Sequence, residues 1–322
     1  MNKLIKIKGL SKEFPIKKGF FNKQVGAIYA VNNVNLEIHK GETVGLVGES
    51  GCGKSTTGRC IIGLTNPTTG SIKYNETELV NADNKIIKSC RKKMQIIFQN
   101  PYSSLNPRMT VKKTLEEPLI IHKTIPKSEI NNRISELLDM VGLNPNILNR
   151  YPHEFSGGQR QRIGIARALA LKPEFIVADE PVSALDLSIQ AQIINLLQDL
   201  KKELGLTYLF ISHDLGVVRY VSDRVAVMYL GEIVELAPVD LLYSNPQHPY
   251  TKALLSAVPV PSPNSNLSKR ILLQGDLPNP ANPPKGCKFH TRCNYSMEIC
   301  KTQEPEYKEL EKGHFAKCHL LS

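Results

Sequence analysis

The stretch GESGCGKS at residues 48–55 decides the fold. It follows the apolar run TVGLV at 43–47, which is typical of a buried parallel strand, and it precedes TTGRCIIGL, which is typical of a helix. Glycines here let successive backbone N–H groups point at one anion at the start of that helix. The pattern G-x-x-x-x-G-K-[ST] therefore predicts a phosphate-binding loop, with Lys54 on the phosphate oxygens and Ser55 on Mg²⁺. An ordinary glycine turn, the alternative, would not require the strand and the helix.

A second buried strand, FIVA at 175–178, ends in the adjacent carboxylates Asp179 and Glu180. Two such acids can divide the work, with Asp179 in the Mg²⁺ shell and Glu180 polarising the attacking water. Most isolated acid pairs are solvated loop residues or helix caps. In the same chain as a phosphate loop, this pair predicts nucleotide hydrolysis.

A third motif, SGGQRQR at 156–162, opens the helical run IGIARALAL. Its hydroxyl, its unobstructed N–H groups and the positive end of the helix predict a second anion site. A flexible helix cap is the simpler alternative.

The remaining pattern indicates an α/β protein. KSEINNRISELLDMVG at 127–142 and SIQAQIINLLQDLKKELG at 188–205 have the spacing of amphipathic helices, and TYLFIS at 207–212 predicts another buried strand. Strand, helix and strand in this order imply a parallel sheet covered by helices. RVAVMYLGEIVEL at 224–236 predicts a hairpin that turns at Gly231-Glu232.

The order of these motifs, together with Ser183-Ala184-Leu185-Asp186 and His213, resembles the ATP-binding cassette (ABC) ATPase family from about residue 3 to 240. The resemblance implies an α/β P-loop NTPase fold: a RecA-like core, an antiparallel β part and a helical subdomain at about 100–160. It implies an ABC ATPase domain at 1–240 and a C-terminal extension of the peptide-importer type at 241–322. We expect this extension to be irregular, because prolines crowd residues 245–284.

The resemblance also assigns site residues. The catalytic candidates are Glu180, His213 and Gln99. The ATP-binding candidates are Tyr29, Gly48, Glu49, Ser50, Gly51, Cys52, Gly53, Lys54, Ser55, Thr56, Ser156, Gly157, Gly158, Gln159 and Asp186. The Mg²⁺ candidates are Ser55, Gln99 and Asp179.

Several of these roles have simpler alternatives. Tyr29, expected to stack on adenine, could be a half-buried strand aromatic, and Gln99, expected to sense the γ-phosphate, could be a loop amide. His213, expected to contact the γ-phosphate, could be a helix cap. In the family, the Ser156 segment of one subunit closes over the phosphate loop of another, and Asp186 links the two sites. A chain with one cassette must therefore dimerise.

Two further stretches resemble the ATPases of oligopeptide and dipeptide importers: QNPYSSLNPR at 99–108 and NPQHPYTKALL at 245–255. Within that group, SLNPRMTV at 104–111 and the stretch at 214–235 are more similar to the second, F-type, subunit than to the D-type one. The implied partners are a paralogous D-type ATPase in a heterodimer, two transmembrane permeases and an extracytoplasmic peptide-binding protein. An importer of nickel or another small solute is the nearest alternative.

Charge and hydropathy narrow the other possibilities. A net charge of +11 suits an anionic partner, yet basic runs are short, Trp is absent and aromatic residues make up 6%, so we expect no nucleic-acid partner. Only 102 positions separate Lys54 from Ser156, too few for the coiled-coil arms of DNA-repair members. A soluble ABC ATPase acting on nucleic acid or ribosomes is the less favoured alternative, as is a regulatory nucleotide switch. No apolar run is long enough to span a membrane, which predicts a peripheral protein on its cytoplasmic face.

Four cysteines crowd the end of the chain, with the spacing Cys287-x5-Cys293-x6-Cys300-x17-Cys318. Four thiolates can hold zinc or an iron–sulfur cluster, and the absence of C-x-x-C pairs makes a zinc ribbon less natural. Peptide-importer ATPases with a similar tail are associated with a [4Fe-4S] cluster, so the resemblance implies one here. Zinc stays open because His290, His314 and His319 lie nearby in sequence, and four unrelated reduced cysteines are the plainest alternative.

Overall fold

The computed structural model describes residues 2–19, 23–258, 271–273 and 275–321. Its contacts divide the chain into two units. The first unit comprises Met1–Asn2, His39–Glu42 and Asn81–Ile211, and the second comprises Lys3–Ile38, Thr43–Val80 and Ser212–Ser322. The boundary predicted near residue 240 divides the ATPase domain from the C-terminal extension, which is not the same division as these two units. It stays a prediction. The part of the proline-rich stretch at 259–270, with Pro259, Pro261 and Pro263, lies outside the described residues.

The secondary structure alternates between strands and helices over most of the chain. The strands are β1 (Lys3–Lys18), β2 (Lys23–His39), β3 (Thr43–Val47), β4 (Thr69–Tyr74), β5 (Thr77–Glu78), β6 (Met94–Ile97), β7 (Phe175–Asp179), β8 (Thr207–Ile211), β9 (Arg224–Tyr229), β10 (Glu232–Pro238), β11 (Tyr307–Glu311) and β12 (His314–Lys317). The α-helices are α1 (Lys54–Ile61), α2 (Asn84–Lys93), α3 (Pro101–Ser104), α4 (Val111–His122), α5 (Ile130–Met140), α6 (Gly157–Leu169), α7 (Leu187–Leu204), α8 (Leu215–Val221), α9 (Val239–Ser244), α10 (Pro249–Ser256) and α11 (Glu298–Thr302). Across the described ranges, none of the helices is long and apolar enough to cross a lipid bilayer.

The first unit contains the parallel strands β6, β7 and β8, with β7 between the other two. Val177 of β7 lies opposite Ile96 on one side and Leu209 on the other. β7 and β8 are buried along their whole length, which is why their sequences are continuous apolar runs. Both strands were predicted, and both are confirmed.

The two predicted amphipathic helices of this unit are also confirmed. In α5, the apolar face at Ile134, Leu137 and Leu138 is at most 1% exposed. α7 packs its inward face through residues such as Ile193, and it ends at Gly205, whose φ of 64° stops the helix. The spacing of apolar residues therefore identifies the buried side of both helices.

The second unit contains two sheets. β1 lies between β2 and β4, and β5 pairs with the outer side of β4. In the other sheet, β3 runs parallel to β9, and β9 pairs antiparallel with β10. β10 then pairs with β12, and β12 with β11, both antiparallel. The strand before the phosphate loop, β3, is fully buried, as its sequence predicts.

The predicted hairpin exists as β9 and β10, but its turn lies one residue earlier than expected. Tyr229 and Glu232 face each other across the ladder, so Leu230 and Gly231 form the turn. Both have positive φ angles, 42° and 82°, which suit the right-handed twist of a two-residue hairpin. Leu230 is an unusual residue for the left-handed region, so residue type alone does not indicate that the turn begins there.

The C-terminal extension is not irregular throughout, which corrects the expectation from its proline content. α10 begins at Pro249, where the missing N–H and the restricted φ of proline suit the first position of a helix. α11 and the hairpin β11–β12 follow, and β12 joins the edge of β10. Proline therefore marks the start of an element here rather than its absence.

A buried carboxylate ties the extension to β10. Glu235 is 0% exposed and accepts hydrogen bonds from the backbone N–H groups of Gln247 (2.7 Å) and His248 (2.8 Å). Its Oε1 also lies 2.8 Å from Nε2 of His314, which is equally buried. A buried carboxylate needs such donors, because leaving it unpaired costs about 3–5 kcal/mol. Glu235 thus joins three separate parts of the chain.

Candidate functional site

The phosphate loop of the second unit has a backbone that only glycine can adopt at two positions. Gly48 has a φ of 151°, and a Cβ atom there would lie 2.2 Å from the carbonyl oxygen of Met228. Gly53 has a φ of 107°, and its Cβ would lie 2.0 Å from the carbonyl oxygen of Ala30. Both contacts are with backbone atoms, which cannot move aside cheaply. The spacing of the glycines in the motif therefore reflects close packing as well as φ.

Lys54 holds the loop in a tight curl. Its side chain is 4% exposed, and Nζ donates to the carbonyl oxygens of Gly48 (2.8 Å) and Glu49 (2.9 Å). α1 begins at Lys54, and its N-cap residue Gly53 has no side chain to cover the first N–H groups. A buried ammonium beside an uncapped helix start suits a phosphate group.

Glu49 of the phosphate loop is held by two residues from elsewhere in the chain. Its backbone N–H donates to the hydroxyl of Tyr250 (2.9 Å), and its carboxylate forms a two-fold ion pair with Arg292, at 2.8 and 3.1 Å. Both partners come from the C-terminal extension. Sequence reasoning missed them, although Tyr250 lies in the quoted stretch NPQHPYTKALL and Arg292 directly precedes Cys293.

An aromatic cluster formed by Tyr229, His248, Tyr250 and Phe289 supports these contacts. The ring centroids of Tyr229 and Tyr250 lie 4.7 Å apart, and that of Phe289 lies 5.2 Å from Tyr229 and 5.4 Å from Tyr250. Burial lowers the pKa of His248 to about 3, so this imidazole is neutral at physiological pH. Its Nδ1 accordingly accepts a hydrogen bond from the backbone N–H of Tyr250 at 3.1 Å. Burial likewise raises the pKa of Tyr250, which keeps its hydroxyl protonated.

Three other ATP-site candidates lie in the second unit. Tyr29 is on β2 and is 39% exposed, and its backbone N–H donates to the carbonyl oxygen of Pro280 at 3.1 Å. His213 is exposed and directly precedes Asp214, the N-cap residue of α8. Thr56 is in the first turn of α1. The exposed ring of Tyr29 is compatible with stacking on a base.

The first unit places Gln99 next to Glu180. Nε2 of Gln99 donates to Oε2 of Glu180 at 2.8 Å. Asp179, the last residue of β7, is 1% exposed, and Glu180 follows with a φ of 47°. A non-glycine residue in the left-handed region costs about 1–3 kcal/mol, and such strain is concentrated at functional sites. The two carboxylates therefore differ in their surroundings: Asp179 is buried at the end of β7, and Glu180 accepts a hydrogen bond from Gln99.

The SGGQRQR motif starts α6 with a capping box. Ser156 Oγ accepts a hydrogen bond from the N–H of Gln159 (3.3 Å), and Gln159 Oε1 accepts one from the N–H of Ser156 (3.1 Å). Gly158 allows α6 to approach α7, since a Cβ there would lie 2.5 Å from Ile189. Ser156 is exposed, as is Asp186 at the N-cap of α7. Gly158 thus serves helix packing, and Ser156 is exposed at the surface.

Comparison with known proteins identifies the family. The model of the ABC transporter family matches residues 31–183, and that of the C-terminal region of oligopeptide/dipeptide transporters matches residues 234–300. The chain is 55% identical over 321 residues to the oligopeptide transport ATP-binding protein AppF of Bacillus subtilis (strain 168), covering 99% of this chain and 98% of AppF. The chain belongs to the ATP-binding proteins of this ABC transporter family. A putative peptide import ATP-binding protein of Brucella ovis is 50% identical, with 98% and 97% coverage.

Solved structures confirm the cassette fold. The dimeric ATP-binding cassette MJ0796, in a post-hydrolysis state with ADP and Pi, matches with a TM-score of 0.65 and 33% identity, covering 73% of this chain and 99% of that one. CbiO1 from Clostridium perfringens, part of the ABC transporter complex cbiONQ, also gives a TM-score of 0.65, with 25% identity and coverage of 76% and 92%. The predicted P-loop NTPase cassette is therefore confirmed, and ATP hydrolysis is the activity of this family member.

The four cysteines that the sequence assigns to a metal cluster lie in the C-terminal extension. Within residues 2–19, 23–258, 271–273 and 275–321, no group of three or more His, Cys, Asp or Glu side chains is placed to share a metal ion. The imidazoles that kept zinc open have other contacts: His314 with Glu235, His290 with the carbonyl oxygen of Cys287, and His319 with that of Gln303. The described side chains therefore contain no ligand set already arranged around a metal ion.

The four cysteines nevertheless lie near one another. Burial, together with smaller contributions from Cys300, Cys318 and Cys293, raises the pKa of the Cys287 thiol to about 11. The N–H of Cys287 donates to the carbonyl oxygen of Cys300 at 2.8 Å. The thiol form of Cys287 therefore predominates at neutral pH, and any metal would have to displace its proton.

We expect Gly53→Ala to raise the Kd for ATP by at least about tenfold, because the added methyl group forces the loop away from Ala30. Gly205→Ala is the matched control: Gly205 also has a positive φ, 64°, but nothing lies within 4 Å of its Cβ position. The control should lose some thermal stability and keep its ATP affinity. Equal ATP affinity in the two variants, measured by calorimetry, would contradict the packing argument.

Proposed function

We propose that this chain is the ATP-hydrolysing subunit of an importer that moves oligopeptides or dipeptides across a membrane through partner permeases. The observation that carries the proposal is 55% identity to AppF over 99% of the chain. The match of residues 234–300 to the C-terminal region of oligopeptide/dipeptide transporters supports it independently of the cassette. Nickel or another small solute is the alternative substrate, and no observation favours it.

In this proposal, the phosphate loop binds the triphosphate of ATP. Lys54 neutralises phosphate oxygens, and the N–H groups at the start of α1, including that of Thr56, donate to them. Ser55, Asp179 and Gln99 supply oxygen ligands of the kind that Mg²⁺ takes, and Tyr29 stacks on adenine. The remaining loop residues, Ser50, Gly51 and Cys52, shape the backbone around the phosphates.

Glu180 is the proposed general base. Its carboxylate would accept a hydrogen bond from the attacking water and take up its proton. The hydrogen bond from Gln99 orients that carboxylate. His213 would contact the γ-phosphate. Residue type, position in the motifs and local geometry support these roles.

A second cassette would complete the site. The exposed Ser156, with Gly157, Gly158 and Gln159, would close over the phosphate loop of the partner subunit, and Asp186 would link the two sites. We propose a heterodimer with a paralogous D-type ATPase, bound at the cytoplasmic face of the membrane to two permeases that receive peptide from an extracytoplasmic binding protein. ATP binding would close the dimer, and hydrolysis would reopen it.

We expect Glu180→Gln to bind ATP and to hydrolyse it at least about 100-fold more slowly, because the amide cannot accept the proton of the attacking water. Glu174→Gln is the matched control, since Glu174 belongs to the same unit and its carboxylate forms an ion pair with Lys93 at 3.1 Å. The measurement is phosphate release under saturating ATP. Near-normal turnover of Glu180→Gln would show that Glu180 is not the base.

Affinity purification of the tagged chain from gently solubilised membranes tests the transport assignment. We expect two multi-span permeases and a second, paralogous cassette ATPase to copurify, identified by mass spectrometry. Copurification of the chain with ribosomes or DNA-repair proteins and no permease would refute the importer. A second copy of this chain in place of a paralogue would refute only the heterodimer.

We also propose that the four tail cysteines bind a [4Fe-4S] cluster, with zinc as the alternative, after a local rearrangement of their side chains. The backbone hydrogen bond of 2.8 Å between Cys287 and Cys300 supports the proposal, because it brings two of the four cysteines together. Protein purified without oxygen should then contain iron and sulfide, Cys293→Ser should lose them, and Cys90→Ser, at a buried cysteine of the other unit, should keep them. Zinc without iron would reject the cluster, and the absence of both metals would reject the ligand set.

A further inference from the structure

The phosphate loop carries an acidic residue at a position where acidity is unfavourable. Glu49 directly follows the first glycine of the motif. A loop that binds a triphosphate receives several negative charges, and a carboxylate in the same loop repels them. The side chain of Glu49 is 25% exposed, so water screens it only in part. Some other group must therefore balance this charge.

Arg292 is the group that does so. Its Nη1 and Nη2 atoms bind the two carboxylate oxygens of Glu49 at 2.8 and 3.1 Å. This two-fold geometry fixes the direction of the carboxylate as well as neutralising it. The side chain of Arg292 is 8% exposed, and its guanidinium lies 6.0 Å from the ring centroid of Tyr229.

The backbone of Glu49 is held as well as its side chain. The N–H of Glu49 donates to Tyr250, and its carbonyl oxygen accepts from Lys54, the phosphate-binding lysine of the motif. Glu49 is therefore held through its side chain, its N–H and its carbonyl group at once. Two of these three partners, Arg292 and Tyr250, belong to the C-terminal extension and not to the cassette motifs.

The extension in turn sets the position of Arg292. This residue ends the 3₁₀ turn His290–Arg292, and its N–H donates to the carbonyl oxygen of Phe289 at 3.0 Å. Phe289 is 2% exposed and packs edge-on against Tyr229, at an interplanar angle of 85°. The backbone that carries Arg292 is therefore anchored by the buried ring of Phe289, and this anchoring restricts the position of the guanidinium.

We propose that Arg292 is a positioning residue for ATP, which neutralises Glu49 and holds the phosphate loop ready for the triphosphate. The C-terminal extension then contributes to nucleotide binding in its own subunit, in addition to any role in transport. The proposal rests on the assignment of residues 48–55 as the ATP-binding loop. It needs neither a metal in the tail nor a particular transported substrate.

A double-mutant cycle on the full-length protein tests the proposal, with Mg²⁺ and ATP titrated by calorimetry. The variants are Arg292→Ala, Arg292→Lys, Glu49→Gln, Glu49→Gln/Arg292→Ala and the control Lys288→Ala. Lys288 lies in the same segment and pairs with Glu304 at 3.2 Å, so its loss changes the net charge equally without unpairing Glu49. Thermal melts followed by circular dichroism show that each variant is folded.

We expect Arg292→Ala to raise the Kd for ATP on the order of tenfold, because the carboxylate of Glu49 is left unpaired beside the phosphates. Raising NaCl from about 50 to about 500 mM should shrink this difference, since salt screens the repulsion. The Kd of Arg292→Lys should lie between those of the wild type and Arg292→Ala, because lysine keeps the positive charge and cannot bind both carboxylate oxygens in the two-fold geometry. Glu49→Gln/Arg292→Ala should return to within about threefold of the wild type, because the repelling charge is gone. Lys288→Ala should bind ATP like the wild type.

Two results would overturn the proposal. One is wild-type affinity in Arg292→Ala; the other is a double variant that binds ATP as weakly as Arg292→Ala, which would make the arginine merely structural. Should Arg292→Ala fail to fold, Arg292→Lys compared with Glu49→Gln/Arg292→Lys decides the question by the same criterion. A wild-type protein that does not bind ATP would instead reject the assignment of the loop itself, so the two failures are distinguishable.

Discussion

Close backbone packing around the phosphate loop is the constraint on which the rest of the site depends. Gly48 and Gly53 bring the loop against the carbonyl groups of Met228 and Ala30, at distances that leave no room for a Cβ atom. The positions of β2 and β9, the strands that carry those carbonyl groups, therefore determine the conformation of the loop to which Lys54 is hydrogen-bonded. Since β3 runs parallel to β9, the strand of Met228, the geometry of the sheet is transmitted directly to the loop that follows β3.

The C-terminal extension is part of the same construction. Buried polar contacts at Glu235 and the aromatic cluster of Tyr229, His248, Tyr250 and Phe289 hold it against the hairpin β9–β10. Polar groups enter a core only when they are satisfied, so each of these contacts restrains the extension to one position. In that position, Arg292 and Tyr250 reach Glu49. The C-terminal region, which is matched separately from the cassette, therefore makes direct contacts with the cassette's phosphate loop.

The chemistry of hydrolysis is concentrated at a strained turn. Glu180 leaves β7 in the left-handed region, and its carboxylate is held by the amide of Gln99. The burial of β7 along its whole length and its hydrogen bonds to strands on both sides offset this strain.

The sequence by itself determined the phosphate loop, the strands around it, the buried faces of α5 and α7, and the family, because each of these is written in local spacing: glycine positions, apolar runs and helical periodicity. It located the hairpin β9–β10 to within one residue and misjudged the order in the extension, since proline density does not distinguish a helix start from a loop. Only the tertiary structure decided that Glu49 is paired with Arg292, that Glu235 contacts His314, and that the tail cysteines lie near one another. Such contacts join residues as much as 243 positions apart, and their partners are chosen by how the chain packs.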